Sequence, residues 1–298
     1  MNDFAVQFQG VSKRYKYFTL DNIDLQLPVG QVMGLIGQNG AGKSTTIRIL
    51  MGLVHQDEGQ VQVLGRHMPE EQIAAKWDIG FTSEDLRLYD AMTLEWHMGF
   101  IRSIYSTWDA EYAKLLLKRF GLVAEQKMKG LSHGQRVKAA LLLVLARRPR
   151  LLVLDEPTTG LDPVARHEIL RELTGAMADE ECSILFSSHN TQDVEQISDQ
   201  IAFLDRGRLI DSSDKETYLD RWRRLRLEVP AGIGLPALRG VIAVKQEGRI
   251  AIATANAFEA DLPNAYERTG ARVQRVENMT LEEIFVANVE HSREDVNV

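Results

Sequence analysis

Nine residues, GQNGAGKST from Gly37 to Thr45, have the types and spacing that hold a polyphosphate. They match the pattern G-x-x-x-x-G-K-[ST], in which glycines let backbone N–H groups close around phosphate oxygens. Gly37, Asn39, Gly40, Ala41 and Gly42 make the cradle, and Lys43 supplies a point charge for the β- and γ-phosphates. Ser44 offers a hydroxyl to Mg²⁺, and Thr45 is placed for the α-phosphate. A second stretch, LLVLDEP, supplies the partner such a loop needs. An apolar strand delivers Asp155 toward Mg²⁺, and Glu156 follows it where a carboxylate can polarise water beside the γ-phosphate. Alone, an Asp–Glu pair after a strand is as readily a helix cap or surface pair; the loop upstream gives it meaning.

A third stretch is unexpected. LSHGQ, Leu131–Gln135, is a polar turn with a glycine ahead of the apolar run RVKAALLLVLA. A helix N-terminus presents unpaired N–H groups and the positive end of its dipole, so this turn is also directed at an anion. One chain therefore carries one nucleotide loop and a second phosphate-directed turn about ninety residues away.

The elements that must position these residues alternate. IDLQL alternates apolar and polar residues as a half-buried strand does; QVMGLIG runs into the loop, STTIRILMGL continues as helix, and QVQVLG alternates again. From about 86 to 148 the spacing is helical, with AEYAKLLLKRFG closing on Gly121. LLVLD and SILFSS read as buried strands, DPVARHEIL as a helix opened by Asp162 and Pro163, and a strand pair surrounds Gly207. Composition shifts near RWRRLRLEVP. Beyond it short strands, a helix over AFEADLPNAYER, the strand ARVQRV and a last helix opened by Thr280 and Glu283 at capping-box spacing predict a small α/β unit over 222–298.

Bulk numbers agree with an ordinary globular chain. It has 298 residues, 44% hydrophobic and 26% charged, with a net charge of −7 that implies no general attraction to nucleic acid. The start, MNDFAVQFQG, lacks a basic segment followed by an apolar one, so no signal peptide is expected. The longest apolar run, Ala139–Ala146, is far short of the roughly 20 residues that span a bilayer. The single cysteine, Cys182, reads as a core thiol, which suits a reducing compartment.

The loop, LSHGQ, LLVLDEP, TTGLDP and FSSHN follow one another as in the ATP-binding cassette (ABC) ATPases, and the chain resembles that family over residues 4–220. The tail is similar to extensions on ATP-binding subunits of bacterial export-type transporters. The resemblance implies an α/β P-loop NTPase cassette over 1–221. It would have a RecA-like core, an antiparallel β subdomain and an inserted helical subdomain at about 86–148, beside the small C-terminal α/β unit. It also implies ATP and Mg²⁺ as ligands, hydrolysis as the activity, and head-to-tail pairing of two cassettes, as a homodimer or with a paralogous subunit. In such a pair Ser132, Gly134 and Gln135 of the signature turn face the γ-phosphate on the neighbouring loop, which explains one copy of each element per chain. By the same resemblance His189 is the switch histidine on the γ-phosphate. Asp162 lies in the loop crossing the dimer interface, or serves as a helix cap. Tyr15 stacks on adenine, with Tyr17 and Phe18 as neighbouring candidates.

The sequence departs from the family at two points. His133 replaces the first of two usual glycines, to favour phosphate when protonated or simply to face solvent. Glu84 stands where a glutamine usually contacts Mg²⁺ and the attacking water; a carboxylate can still ligate the metal, with added negative charge near the phosphates. The implied role is the ATPase subunit of a transporter, cytoplasmic and peripheral on the inner face of the membrane, driving separate polytopic membrane subunits, with export suggested by the tail. Residues 84–100 are then the docking surface for a membrane-subunit helix, with at least one of Trp96 and Phe100 expected in the core. The alternative is a soluble ABC ATPase acting on ribosome or nucleic acid. The second cassette or coiled-coil insertion of those members is missing here, and the basic stretch Arg221–Arg226 reads either as a contact for nucleic acid or headgroups or as a solvated linker. A nucleotide kinase shares the loop and leaves LSHGQ and His189 unexplained.

Overall fold

Runs of apolar residues without alternation are what a parallel sheet covered on both faces requires. VMGLI is buried at every position, as is SILFSS, and LLVLD at all but its last residue. The computed structural model describes residues 3–84, 87–177, 182–230 and 234–295. The chain divides into two units, Met1–Ser212 and Ser213–Val298.

The first unit begins with β1 (Phe4–Arg14), β2 (Thr19–Pro28), β3 (Val32–Ile36) and α1 (Lys43–Leu50). Next come β4 (Glu58–Val63), β5 (Arg66–Met68), α2 (Gln72–Asp78) and β6 (Ile79–Ser83). The helical stretch is α3 (Leu94–Ile104), α4 (Ala110–Phe120) and α5 (His133–Leu145), with a 3₁₀ turn at Met128–Gly130. Then follow β7 (Leu151–Asp155), α6 (Pro163–Ala176), β8 (Ser183–Ser188), α7 (Thr191–Ile197), β9 (Gln200–Asp205) and β10 (Arg208–Asp214).

Two sheets result: an antiparallel one ordered β2-β1-β4-β5 and a six-stranded one ordered β10-β9-β3-β8-β7-β6. In the second, β3 lies parallel between β8 and β9, and β7 parallel between β8 and β6. Side chains from both sheets and from α1 share one core, which includes Phe8, Leu25, Leu35, Ile47 and Val153. Local chemistry sets the helix ends. Asp109 caps α4 by accepting from Tyr112 N, and Gly121 closes it in the left-handed conformation. Ala139–Leu145 of α5 is buried all round, consistent with its unbroken apolar run.

The second unit holds α8 (Lys215–Arg221), β11 (Arg223–Glu228), β12 (Val241–Glu247), β13 (Ile250–Ala255), α9 (Leu262–Arg268), β14 (Arg272–Asn278) and α10 (Leu281–Asp295). Its antiparallel sheet is ordered β12-β13-β11-β14. Thr280 and Glu283 form the expected reciprocal bonds at the start of α10. The sequence put the division after 221; the structure puts it after Ser212. The reason is Tyr218, fully buried on α8 and hydrogen-bonded by Asn288 of α10 (2.6 Å). The helix expected over AFEADLPNAYER starts only at Leu262, where Pro263 suits a first turn.

Arg221–Arg226 is not a linker and presents no continuous basic face. Trp222 and Leu225 are buried, Arg223 bonds the Leu219 and Trp222 carbonyls, and Arg224 pairs with Glu283 at 2.8 Å. Arg221 ends α8, and Arg223–Arg226 lie in β11, flanked by β13 and β14.

The turn between β9 and β10 ties the first unit together. Gly207 N donates to Ala41 O (2.9 Å), and Gly207 O accepts from Asp21 N (2.7 Å). Its φ is +81°, and an added Cβ would lie 1.8 Å from Thr19 O. The substitution Gly207→Ala should therefore cost about 1–3 kcal/mol from backbone conformation, with the backbone clash in addition. Urea unfolding of the variant reads this loss; an unchanged midpoint would show that the turn relaxes freely.

Candidate active site

Helix α1 starts at Gly42, whose φ of +116° is open to glycine, and no side chain caps it. Its first N–H groups are thus free of protein side-chain acceptors and directed at the loop, the arrangement that binds a phosphate. The loop packs closely on β9, where no side chain fits at Gly37: a Cβ there would meet Leu204 O at 2.5 Å. Gln38, Asn39 and Gly40 are exposed, whereas Ala41, Gly42 and Lys43 are buried and Ser44 and Thr45 half-buried.

Lys43 Nζ donates to Gly37 O (2.8 Å) and pairs with Glu156 Oε1 (3.1 Å). The second carboxylate oxygen, Oε2, accepts from His189 Nδ1 (2.7 Å) and from Thr159 Oγ1 (2.9 Å). Glu156 itself has φ +53°, a strained conformation for a non-glycine residue. Burial pushes the Glu156 carboxyl up, but the Lys43 charge and the bonds from His189, Lys43 and Thr159 outweigh it and hold the group below the usual carboxylate range. Ser44 Oγ donates to Asp155 Oδ1 (3.2 Å), which also accepts from Ser187 Oγ (2.6 Å). A hydroxyl and a carboxylate set side by side are hard oxygen donors, the kind Mg²⁺ takes.

The structure thus gathers Lys43, Ser44, Asp155, Glu156 and His189 at one end of the parallel strands. Glu84 follows β6 and borders a cavity shared with Asp155, Glu156, His133 and Arg136; the two residues after it lie outside the described ones. Tyr15 is 44% exposed, with its ring 6.3 Å from that of Phe18. Phe18 packs against the loop, its Cζ 3.1 Å from where a Gly42 Cβ would stand, and Tyr17 is 87% exposed. Asp162 is a helix cap, accepting from Val164 N and Ala165 N; these bonds, Ala165's first, lower its pKa.

Ser132, Gly134 and Gln135 stand apart from this cluster. Ser132 Oγ accepts from Gln135 N, and Gln135 Oε1 accepts from Ser132 N, a complete capping box at the head of α5. Among the described residues no hydrogen bond joins this turn to residues 37–45. His133 is exposed, as one of its two sequence readings has it, and its Nε2 bonds Thr159 O at 3.1 Å.

Trp96 and Phe100 are not core. They are 38% and 46% exposed and stack at 5.4 Å and 3°, with Tyr89 edge-on to Trp96 at 5.8 Å. The helical spacing is real, but the face it makes is the outer one. Sequence reading also missed the residues that hold these groups. Ser187 Oγ donates to Asp155 and accepts from Glu156 N. Asp193, fully buried, accepts from Thr158 Oγ1 (2.5 Å) and from Arg166. His97 receives Tyr89 N on Nε2 while Nδ1 bonds Thr93 O. The one sequence signal for the first of these is the pair of serines ending an otherwise apolar strand.

Comparison with known proteins agrees with the geometry. The ABC transporter family matches residues 20–159. The linearmycin resistance ATP-binding protein LnrL of Bacillus subtilis is 32% identical, over 72% of this chain and 71% of that protein. The lantibiotic transport ATP-binding protein SrtF of Streptococcus pyogenes is 33% identical, over 69% of this chain and 89% of its own. A solved structure described as the ATP-binding subunit of an ABC transporter shares 26% identity at a TM-score of 0.66, covering 72% of this chain and 92% of that one. Among the described residues no helix is long and apolar enough to cross a membrane. The chain belongs to the ABC transporter family, as an ATP-binding subunit with the ATPase fold of that family.

Proposed function

We propose that this chain binds MgATP at Gly37–Thr45, pairs head to tail with a second cassette, and hydrolyses ATP to drive a separate membrane subunit, in the direction of export. The observation that carries the reading is the convergence of Lys43, Glu156 and His189 beside an uncapped helix N-terminus. The loop N–H groups and Lys43 hold the β- and γ-phosphates, and Tyr15 offers a flat face for adenine. Ser44 and Asp155, with Glu84 on the same cavity as Asp155, are the residues that would hold Mg²⁺. When bound, the ion neutralises phosphate charge in the transition state. Glu156 takes a proton from water as the water oxygen attacks the γ-phosphorus and the bond to the bridging oxygen breaks, leaving ADP and phosphate. His189 gives Nδ1–H to Glu156, and in the protonated ring Nε2–H is also available to a γ-phosphate oxygen.

Each chain has one loop and one signature turn, and the turn is not at its own loop. A second cassette supplies the missing half, so that Ser132 and Gly134 meet the neighbour's nucleotide and Asp162 lies at the seam. The stacked Trp96 and Phe100, with Tyr89, form an exposed aromatic surface for the membrane subunit. Export is supported by the relatives' names, a linearmycin resistance protein and a lantibiotic transport protein.

Three outcomes test this. Substituting Glu156→Gln should leave ATP binding intact, lower turnover by about a hundredfold or more, and accumulate an ATP-bound dimer in size-exclusion chromatography; wild-type turnover would remove Glu156 as the base. The second concerns charge. The folded pKa of Glu156 lies below its unfolded value of about 4.3, so its contribution is present above that pH and lost as pH falls through the folded value. Without nucleotide, the urea midpoint of the wild type should therefore fall more steeply below about pH 5 than that of Glu156→Gln. Parallel curves would show the carboxylate is not held by Lys43 and His189. Third, the tagged chain should recover a polytopic membrane protein from detergent extracts. The double variant Trp96→Ser, Phe100→Ser should lose it while retaining ATP affinity. Recovery of ribosomes or nucleic acid instead would leave the ATPase and overturn transport.

A further inference from the structure

Thr159 is held at three points. Its N–H reaches Glu156 O (3.3 Å), its Oγ1 donates to Glu156 Oε2 (2.9 Å), and its carbonyl accepts from His133 Nε2 (3.1 Å). A carbonyl can only accept, so Nε2 of His133 carries the proton, in the neutral ring and in the cation alike. The next residue, Gly160, has φ +72°, and a Cβ there would lie 3.3 Å from His133 Nε2. The imidazole edge therefore lies against the Thr159–Gly160 peptide. Within the turn that Leu161 N closes on Thr158 O (3.3 Å), the imidazole is a further hold on a peptide that precedes a glycine. His133 is also the first residue of α5, between Ser132 and Gly134.

We propose that His133 is a positioning residue for hydrolysis: by fixing the Thr159 peptide it keeps the Thr159 hydroxyl on Glu156, and so joins the signature turn to the base within one chain. The proposal rests on the reading of Glu156 as the base and of Ser132 and Gly134 as nucleotide-facing. The turn with two glycines has no side chain to make this link, so the coupling belongs to the histidine. A shift of the turn when it meets a second cassette's nucleotide would reach the Glu156 carboxylate through two hydrogen bonds rather than through the length of α5. The Thr159 carbonyl takes only Nε2, so the test must separate this link from any action of the ring's charge on phosphate.

Steady-state ATP hydrolysis by the full chain, beside equilibrium binding of ATP, tests the link. His133→Ala should lower kcat about three- to tenfold, the effect of one lost hydrogen bond, and leave ATP affinity and KM unchanged. Thr159→Val should do the same, and the double variant should be no slower than the slower single one, because both break one chain of contacts. His133→Gln, whose amide N–H reaches as far, should recover most of the rate. An unchanged kcat in His133→Ala, or additive losses in the double variant, overturns the proposal. So does recovery by His133→Arg without recovery by His133→Gln, which would assign the residue to phosphate charge. Should His133→Ala fail to fold, the Thr159→Val and His133→Gln pair carries the same comparison. Glu156→Gln measured alongside separates the two readings. If it turns over at the wild-type rate, the base is misassigned and the proposal falls with it. If it is inactive and His133→Ala is not impaired, only the coupling falls.

Discussion

A buried ammonium is the constraint on which this site depends. Lys43 is 5% exposed, and a cation taken that far from water needs an opposite charge and hydrogen-bond acceptors. It finds Gly37 O within its own loop and Glu156 at the end of β7. Glu156 in turn is held from the end of β8 by His189. Three segments must therefore meet at one edge, and the parallel register delivers them: Ile36 of β3 stands beside Ser188 of β8, and Asp155 of β7 beside Ser187. Parallel strands end in the same direction, so the loops that leave them converge without any long excursion of the chain.

The polar groups just outside the cluster follow from the same constraint. A carboxylate strained at φ +53° holds its place only if its surroundings over-determine it. Ser187 receives the Glu156 N–H and gives its own proton to Asp155, so one hydroxyl fixes both acids. Farther out, the buried Asp193 of α7 binds Thr158 and Arg166, which anchors the helix after His189 to the segment after Glu156. These bonds connect groups that a single substitution cannot release without leaving a partner unsatisfied.

Much of this is legible in the sequence where local pattern dictates structure. The loop, the Asp155–Glu156 pair and the caps at Asp162 and Thr280 are each set by residues a few positions apart. The cues fail where the answer depends on what lies across space. Trp96 and Phe100 have core spacing, but nothing local says which side of α3 faces out. Arg221–Arg226 looks like a charged linker because arginines outnumber the two apolar side chains, Trp222 and Leu225, that anchor it inside. The partner of His133 lies on another element 26 residues away, and no spacing rule brings them together. Ser187, Asp193 and His97 went unread for the same reason: each is a single polar residue whose role is made by a distant neighbour.

The two phosphate-directed helix starts differ in a way that assigns them different work. At α5 the Ser132–Gln135 capping box already satisfies part of the N-terminus, so this turn is built before any ligand arrives. At α1 no side chain caps the helix, and the Lys43 ammonium at its first residue is paired with Glu156. On the proposed function, a polyphosphate in the loop would supply the acceptors that α1 lacks and compete with Glu156 for Lys43. Binding there would complete a helix end and loosen one oxygen of the carboxylate from its counter-charge. The other oxygen, which accepts from His189 and Thr159, would keep the carboxylate in position as the first turns toward water. On the proposed pairing, the preformed turn and the ligand-dependent loop would be unequal halves, which favours nucleotide first and second cassette afterwards.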